Sequence, residues 1–427
     1  MDVPGSAFAV STAREPELPV ALRDPTERVG IGWTSRLSLN LVGMWIAWYA
    51  PLQVLLGLHA AAIAPAGKEF VFGLASGLGG LTSMVVNPLV GALSDRTTSR
   101  FGRRVPWVVG GGLVAAAGLV VLSVADGVGL FVIGWCLTQA GLNTMLGSLT
   151  AFLPDQVPHA QRATVGGVVA LATTVGVLAG TGLAAAFGAG RPTVAYLVCA
   201  GIVLLFLIPN VLFGNDAVLP SAWRPPVGVR AILAGYWISP REHPDFGWAW
   251  LSRLLINLGN AVGTVYLLFY LQDAVGYTDP ATGVFILTLL YAIAVAATAV
   301  VAGPLSDRIA RRKVFVIVSG SGVAAALVIL CLQTWTAAVV GAVLLGIAYG
   351  TYTAVDLALV TEVLPASVDR AKDLGIIAIT STLPSLLATV VAGVIVTTLG
   401  GYLTLYLVAG GLAVVGALLV TRIRGVT

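Results

Sequence analysis

The feature that most constrains this chain is a series of twelve long apolar stretches, each bounded by charged residues, proline or glycine. A helix rises 1.5 Å per residue, so about 20 mainly apolar residues cross the ~30 Å hydrocarbon core of a bilayer. Charged residues make up only 10% of the chain, against roughly 25% in soluble proteins, and disorder requires low hydrophobicity. The sequence therefore predicts an all-α membrane protein with twelve transmembrane helices. The stretches are residues 31–57, 70–92, 106–125, 129–152, 164–188, 193–213, 247–272, 282–304, 314–333, 335–361, 374–398 and 401–421.

The positions of lysine and arginine predict the orientation in the membrane. With an even number of spans, both termini lie on the same side of the membrane. Nineteen of the 23 lysines and arginines lie in the termini and loops on that side. Two, Lys68 and Arg191, lie on the other side, and Arg36 and Arg253 lie within spans. Because cytoplasmic loops carry the excess of lysine and arginine, we expect a multi-pass protein of the plasma (inner) membrane with both termini in the cytoplasm.

The longest polar connection divides six stretches from six. We expect residues 1–30 to form a cytoplasmic N-terminal segment, 31–213 a first six-helix bundle, 214–246 a cytoplasmic linker, and 247–427 a second six-helix bundle with a short cytoplasmic tail. The mixed apolar and basic residues 228–238 predict a short helix at the membrane surface.

Three short motifs of the first half recur in the second half at nearly constant spacing. Residues 91–96 (Gly-Ala-Leu-Ser-Asp-Arg) return at 303–308 as Gly-Pro-Leu-Ser-Asp-Arg. Residues 36–40 (Arg-Leu-Ser-Leu-Asn) return at 253–257 as Arg-Leu-Leu-Ile-Asn. The Thr-Ala-Phe-Leu-Pro of 150–154 matches Thr-Glu-Val-Leu-Pro at 361–365. A parallel repeat of two six-helix halves is typical of secondary transporters, whose substrate site lies between the halves near the membrane midplane.

The loop between the second and third stretches resembles the signature loop of the major facilitator superfamily. The match is Gly-x-Leu-x-Asp-Arg followed by Gly-Arg-Arg, and the copy between the eighth and ninth stretches has Ala310 where glycine is expected. The resemblance implies two pseudo-symmetric bundles that rock to alternate access, with this loop as a gate. The residues implied in gating are Gly91, Asp95, Arg96, Gly102, Arg103 and Arg104, with Asp307, Arg308, Arg311 and Arg312 in the second copy.

This loop is longer than the usual form of the motif, and the extension carries a finer resemblance. Five residues separate Asp95-Arg96 from Gly102-Arg103, and Asn87-Pro88 precede the motif. The extended form is similar to sucrose transporters and to the glycoside–pentoside–hexuronide cation symporters, which implies a sugar-like substrate. The sequence departs from melibiose-type members, since 70–92 and 129–152 contain none of the acidic residues that bind their coupling cation.

Charges at helix ends give the gating prediction a physical basis. Aspartate stabilises a helix N-terminus and arginine binds the exposed carbonyls of a helix C-terminus. We expect contacts of this loop to exist only when the cytoplasmic side is closed, so that they favour an outward-open state. The alternative is that these cations only anchor the loop on the cytoplasmic side.

Polar and aromatic side chains concentrate on the first, fourth, seventh and tenth stretches, which line the central cavity in the superfamily that the chain resembles. Amides that face lipid are costly, so we expect them to point inward, although amides also join neighbouring helices. Tryptophan and tyrosine in such helices can be anchors at the membrane interface, but Trp45, Trp48 and Tyr49 lie deeper and are candidates for stacking on a sugar ring or an aromatic drug. The predicted cavity residues are Asn40, Trp45, Trp48, Tyr49, Gln53, Gln139, Asn143, Asn257, Asn260, Tyr349 and Tyr352.

Four charged residues within or beside the stretches are candidates for ion coupling. Asp356 and Arg253 lie at similar depth in the tenth and seventh stretches and are predicted to pair, either as a static lock or as a site that opens on protonation. Glu362, at the cytoplasmic boundary, is predicted to be a gate or a helix cap. Arg36 has Met145, not an acid, at the position that corresponds to Asp356, so it either pairs with Asp356 or Glu362 or extends to the membrane surface.

The leading functional hypothesis is therefore a secondary transporter for a small, sugar-like organic solute, driven by protons. The alternatives are a proton-driven exporter of a drug or natural product and a non-transporting membrane sensor. The chain has no nucleotide-binding loop, so ATP is not the expected energy source, and we expect no enzymatic activity, cofactor, metal site or nucleic-acid partner. Its three cysteines have no disulfide or metal-ligand spacing, and we expect a monomer in the lipid bilayer.

Overall fold

The computed structural model describes residues 19–187, 192–214, 216–224, 244–309, 312–362 and 370–423, without the side chains of 163, 303–304, 307, 357–362, 370–379 and 381–382. The described residues fold into twelve long helices. In chain order they are α1 (Ile31–Ile63), α2 (Lys68–Ser94), α3 (Val105–Ser123), α4 (Val128–Gln156), α5 (Arg162–Phe187), α6 (Pro192–Phe213), α7 (Pro244–Val265, continued as Leu267–Ala274), α8 (Pro280–Ile309), α9 (Arg312–Leu330), α10 (Trp335–Glu362), α11 (Arg370–Thr398) and α12 (Gly401–Leu419).

The length and apolar character of these helices agree approximately with the predicted count of twelve. Ten are long and apolar enough to cross a membrane, and the two bent parts of α7 together make an eleventh. The twelfth is α11, whose apolar portion among the described residues is Leu383–Thr398. The chain is thus a multi-pass, all-helical membrane protein. Of the predicted linker 214–246, residues 225–243 lie outside the described residues, and with them the predicted surface helix 228–238.

The first helix of each half is irregular at its centre. In α1, a π-helical turn spans Pro51–Leu55, where the proline has no N–H to continue the regular ladder. In α7, the helix bends by 46° after Val265 and continues through a π-helical turn at Tyr270–Ala274. Local departures of this kind redirect a helix within its span. The repeat seen in the sequence is therefore also visible as a paired break in α1 and α7.

Glycines let neighbouring helices approach closely within each half. A Cβ at Gly141 of α4 would lie 2.2 Å from the backbone nitrogen of Ala115 in α3, and one at Gly118 would lie 2.4 Å from that of Thr138. In the second half, a Cβ at Gly346 of α10 would lie 2.6 Å from the backbone oxygen of Tyr291 in α8. Close backbone approach at small residues is how membrane helices gain packing energy without a hydrophobic driving force.

The two halves meet on one side of the molecule. We call the side on which α1 begins and α12 ends the terminal face, and the other side the opposite face. Lys68 of α2 pairs with Asp273 of α7, Phe72 packs edge-on against Tyr266 and Phe269, and Gln53 accepts a hydrogen bond from Thr288. All of these residues lie in the half of their helix that is nearer the opposite face.

Glycine contacts between α2 and α11 extend this junction towards the centre of the molecule. A Cβ at Gly77 would lie 2.7 Å from the Val390 side chain, and a Cβ at Gly80 would lie 3.0 Å from the Leu386 side chain. Among the described side chains, no hydrogen bond, ion pair or ring contact joins the halves nearer the terminal face. The contacts between the halves among the described residues therefore cluster towards the opposite face.

Candidate functional site

An ion pair lies inside the membrane-spanning part of the second half. The guanidinium Nη1 of Arg253 on α7 donates to Oδ2 of Asp356 on α10, as the sequence predicts. The hydroxyl of Tyr352, one helical turn before Asp356, donates to the other carboxylate oxygen at 2.7 Å. The side chains of Arg253 and Asp356 are only 15% and 10% exposed. Burial of a carboxylate is favourable only when its charge and its lone pairs are matched, and both conditions are met here.

Two amides of α7 extend this polar surface further into the membrane. The hydroxyl of Tyr349 donates to Oδ1 of Asn257 at 3.0 Å, and the hydroxyl of Tyr291 on α8 donates to Oδ1 of Asn260 at 3.1 Å. The Tyr291 and Tyr349 rings stack with their centroids 6.4 Å apart. The sequence reasoning missed Tyr291; the signal that was present is a single hydroxyl-bearing aromatic residue in the middle of the apolar α8.

The first half contributes aromatic rings from α1. The Trp45 ring lies 5.4 Å from that of Trp48 and 5.7 Å from that of Tyr49, centroid to centroid. All three are partly exposed, and the Tyr49 phenol lies within the range of electrostatic interaction with those of Tyr291 and Tyr349. The aromatic residues of α1 thus lie towards those of α8 and α10. We call the set of Trp45, Trp48, Tyr49, Asn257, Asn260, Tyr291 and Tyr349 the central cluster.

The central cluster combines flat aromatic faces with amides, beside a buried ion pair. Aromatic side chains offer large contact areas, and a few placed polar groups fix the orientation of a ligand. Gln53, one turn beyond Tyr49, is held by Thr288 at 3.0 Å and closes the cluster towards the opposite face. The arrangement suits a small organic molecule with both hydroxyl groups and an apolar face.

The predicted cavity residues of α4 lie elsewhere. Asn143 donates to Oγ of Ser83 on α2 at 2.7 Å, Ser83 contacts the Gln139 oxygen at 3.2 Å, and both amides are almost fully buried. The structure thus favours the alternative that these amides join α2 to α4. Asn40 of α1 is also buried, and its side chain donates to the backbone oxygen of Arg36, one turn earlier in the same helix.

Arg36 does not pair with Asp356, whose two oxygens are taken by Arg253 and Tyr352. It lines a small cavity within the first half, near the terminal face, together with Trp33, Gln156 and Asn210. Of the three alternatives for Arg36, pairing with Asp356 is therefore not seen among the described residues, where Asp356 pairs with Arg253 of its own half. The Glu362 side chain lies outside the described residues.

The long loop between α2 and α3 is held by a network of charges. Asp95 pairs with Arg104 at 2.5 Å, and Asp155, near the end of α4, pairs with Arg103 at 2.7 Å and with Arg104 at 2.9 Å. Burial lowers the pKa of the Arg104 guanidinium, but the two carboxylates outweigh this effect and raise it. Arg104 also donates to Oγ of Ser94.

A second carboxylate, that of Asp216 after α6, caps the start of α3. It accepts hydrogen bonds from the backbone N–H groups of Arg104 and Val105 and from the Gln156 amide. Gly102 has φ of 93°, and a Cβ there would lie 2.3 Å from that of Asp216. Glycine is therefore required at 102 by its backbone conformation and by this close approach. The sequence reasoning missed Asp155, in the last turn of α4, and Asp216, after α6, because the packing of both helices is set by the tertiary fold.

These loop contacts connect α2, α3, α4 and α6 of one half. That they form only when the face bearing the loop is closed remains a prediction. The Nε and Nη1 atoms of Arg96 are buried without a hydrogen-bond partner among the described residues. A Cβ at Gly91 would meet no atom within 4 Å.

The second copy of the loop is only partly described. Arg308 is exposed, and Arg312 begins α9 and is partly buried. Arg311 and the Asp307 side chain lie outside the described residues. Among the side chains that the structure describes, no group of three His, Cys, Asp or Glu is placed to bind a metal ion.

The chain is similar to known proteins in its family pattern and in part of its sequence. The model of the Major Facilitator Superfamily matches residues 37–301 and 249–427. Sucrose transport protein SUC3 of Arabidopsis thaliana is 27% identical over 124 residues, covering 24% of this chain and 21% of that protein. Sucrose transport protein SUC4 of the same plant is 30% identical over 102 residues, covering 20% of each. The chain thus matches only about a fifth of the length of these relatives.

Solved structures share the fold at low identity. A variant of the nucleoside transporter NupG has a TM-score of 0.74 at 12% identity, covering 91% of this chain and 99% of that one. A POT family transporter in complex with a thioalcohol-conjugated peptide has a TM-score of 0.70 at 12% identity, covering 91% and 95%. At this identity the likeness concerns the fold.

Proposed function

Because the chain belongs to the Major Facilitator Superfamily, we propose that it is a secondary active transporter that moves a sugar-like solute across the plasma membrane in symport with protons. Both termini lie in the cytoplasm, following the distribution of lysine and arginine. The terminal face is then the cytoplasmic face, and the contacts between the halves near the opposite face support an inward-facing state.

The observation that carries the proposal is the Arg253–Asp356 pair beside the central cluster. Asp356 is a buried carboxylate whose charge is matched by one arginine. Protonation of Asp356 would remove the charge that holds Arg253 and free the guanidinium to bind solute hydroxyls. Proton binding and solute binding would then be linked, since each changes the partners available to the other.

The composition of the central cluster supports a solute with several hydroxyl groups. The amides of Asn257 and Asn260 offer donors and acceptors once the tyrosine hydroxyls turn towards a ligand, and Trp45, Trp48 and Tyr49 offer ring faces for an apolar sugar surface. The similarity of part of the chain to sucrose transport proteins supports a sugar-like substrate.

Transport by purified protein in proteoliposomes tests this proposal. With an imposed inward proton gradient, labelled disaccharides and nucleosides should accumulate against their concentration gradients, and accumulation should collapse when a protonophore is added. A positive outcome in which sugars accumulate but the protonophore has no effect would retain the substrate class and reject proton coupling. Absence of uptake of every polyhydroxylated solute would reject the substrate class.

A second candidate function is proton-driven export of an aromatic drug or natural product. The specific observation in its favour is the contiguous ring surface of Trp45, Trp48 and Tyr49, which suits a flat aromatic cargo as well as a sugar. In the same vesicles, loss of a preloaded fluorescent aromatic compound driven by protons, without sugar accumulation, would favour export.

A further inference from the structure

A groove runs along the outside of the molecule where α2 meets α11, in the half nearer the opposite face. It encloses about 690 Å³, part of it open to the surroundings. Leu74, Leu78 and Leu81 of α2 form one wall, and Val390 and Val394 of α11 form the other. The groove is distinct from the central cluster, which lies between the halves on the inner surfaces of α1, α7, α8 and α10.

The groove faces the hydrocarbon of the bilayer. Its walls are apolar, and Leu81 and Val394 are 49% and 55% exposed although both lie within membrane-spanning helices. From Glu69 to Leu81 the helix rises about 18 Å, close to the ~15 Å of hydrocarbon in one leaflet. The groove therefore has the length and polarity of one extended acyl chain. It ends near the midplane, where Leu386 packs on Gly80.

An acidic side chain stands at the mouth of the groove. Glu69 lines it in the first turn of α2, at the end of this membrane-spanning helix on the opposite face. Its carboxylate forms no ion pair among the described residues, because the neighbouring Lys68 is taken by Asp273 at 2.6 Å. A carboxylate at the membrane surface attracts a cationic group, and an ammonium adds hydrogen bonds that are stronger for being charged.

We propose that this groove binds one phospholipid with a primary-amine headgroup from the leaflet at the opposite face. One acyl chain lies along Leu74, Leu78 and Leu81, and the ammonium of the headgroup contacts the Glu69 carboxylate.

The position of the groove gives the bound lipid an effect on conformation. One wall belongs to the first half and the other to the second half, and the two are in contact through Gly77 and Val390. Separation of the halves at the opposite face would dismantle the groove. A lipid that binds only the closed arrangement stabilises it, and this consequence for transport rests on the proposed function, whereas the binding itself does not.

Lipid retention by the purified full-length chain tests the inference. Protein in detergent is titrated with phosphatidylethanolamine, phosphatidylcholine or phosphatidylglycerol of identical acyl chains, and bound lipid is counted by native mass spectrometry. We expect one phosphatidylethanolamine to be retained in preference to the other two, since the quaternary ammonium of phosphatidylcholine has no N–H to donate. Glu69→Gln should reduce this preference about threefold to tenfold, while Asp126→Asn, in the loop between α3 and α4 on the same face, should leave it unchanged.

A substitution that fills the groove tests binding of the acyl chain separately from binding of the headgroup. Leu78→Trp should reduce retention of all three lipids, and Leu197→Trp, at an exposed apolar position of α6, should not. Equal retention of the three lipids by the unmodified chain, or an unchanged headgroup preference in Glu69→Gln, would overturn the inference. Because lipid counting requires no transport, failure of this test is distinct from failure of the proposed function.

Discussion

Arg253 and Asp356, 103 residues apart in the sequence, form an ion pair inside the membrane-spanning region, and Tyr352 occupies the second oxygen of the same carboxylate. The pair joins α7 to α10 within the second half. Neither partner belongs to the first half, so the pair does not depend on a contact between the halves. Protonation of Asp356 would remove the charge that matches Arg253.

Asp356→Asn should abolish solute accumulation driven by a proton gradient and spare exchange of solute for solute. The amide mimics the protonated acid in shape but binds no proton, so the coupling step is removed while solute movement is retained. Accumulation and exchange are measured in the same proteoliposomes, with Asp126→Asn as the matched control. Unchanged accumulation would dismiss Asp356 as the proton site.

Removing one partner of the pair should destabilise the protein more than removing both. Arg253→Leu leaves a buried carboxylate without its cation, at a cost of about 3–5 kcal/mol. The double variant Arg253→Leu with Asp356→Leu leaves no buried charge and should recover most of this loss. Thermal unfolding in detergent measures the difference. Additive effects of the two substitutions would show that the pair contributes no coupling energy.

Tyr291→Phe should raise the KM for solute clearly and lower the stability of the protein only slightly. The substitution removes the hydroxyl that donates to Asn260, so the amide loses a fixed partner at a cost of about 1 kcal/mol. Tyr277→Phe is the control, because Tyr277 stacks on Trp335 at 4.2 Å near the opposite face, away from the central cluster. An unchanged KM in Tyr291→Phe would exclude Tyr291 from solute binding.

Gly102→Ala should destabilise the loop between α2 and α3 by about 1–3 kcal/mol. Alanine disfavours the φ of 93°, and its Cβ would displace Asp216 from the start of α3. Gly110→Ala, within α3 where a Cβ meets no atom within 4 Å, should be neutral or slightly stabilising. Thermal unfolding compares the two. Equal stability of both variants would argue against the capping role of Asp216.

Lys68→Glu should open the opposite face, because it replaces the attraction to Asp273 with repulsion. The double variant Lys68→Asp with Asp273→Lys should restore closure. Spin labels on cysteines placed at Ala66 and Thr278, exposed loop positions of the two halves, report the distance by double electron–electron resonance after Cys136, Cys199 and Cys331 have been replaced. An unchanged distance distribution in Lys68→Glu would exclude the pair as a lock.

Much of the fold could be predicted because each transmembrane helix is specified locally. A run of apolar residues must become a helix in a bilayer, since its backbone groups have no other partners there. The Arg253–Asp356 pair was also predictable, because two charges at matched depth in apolar helices have few alternatives to one another.

Other parts of the site depended on how the helices turn about their axes. Gln139 and Asn143 read as cavity residues by spacing, but rotation of α4 directs them to Ser83 of α2. Tyr291 reads as an isolated aromatic residue, and only the packing of α8 on α10 brings it to Tyr349. A periodic pattern defines a face of a helix but does not say which neighbour that face meets.

The sequence by itself determined the number and order of the helices, the twofold repeat and the charged residues within the membrane. The physical reason is that unpaired backbone groups and charged groups have a high free energy in hydrocarbon, and this constraint acts on each segment separately. Only the tertiary structure decided that the halves close at Lys68 and Asp273, that Asp155 and Asp216 hold the α2–α3 loop, and that a groove forms between α2 and α11. These features depend on contacts between segments that are distant in the sequence. Alternative contacts of this kind differ little in free energy, so one segment alone does not predict which of them forms.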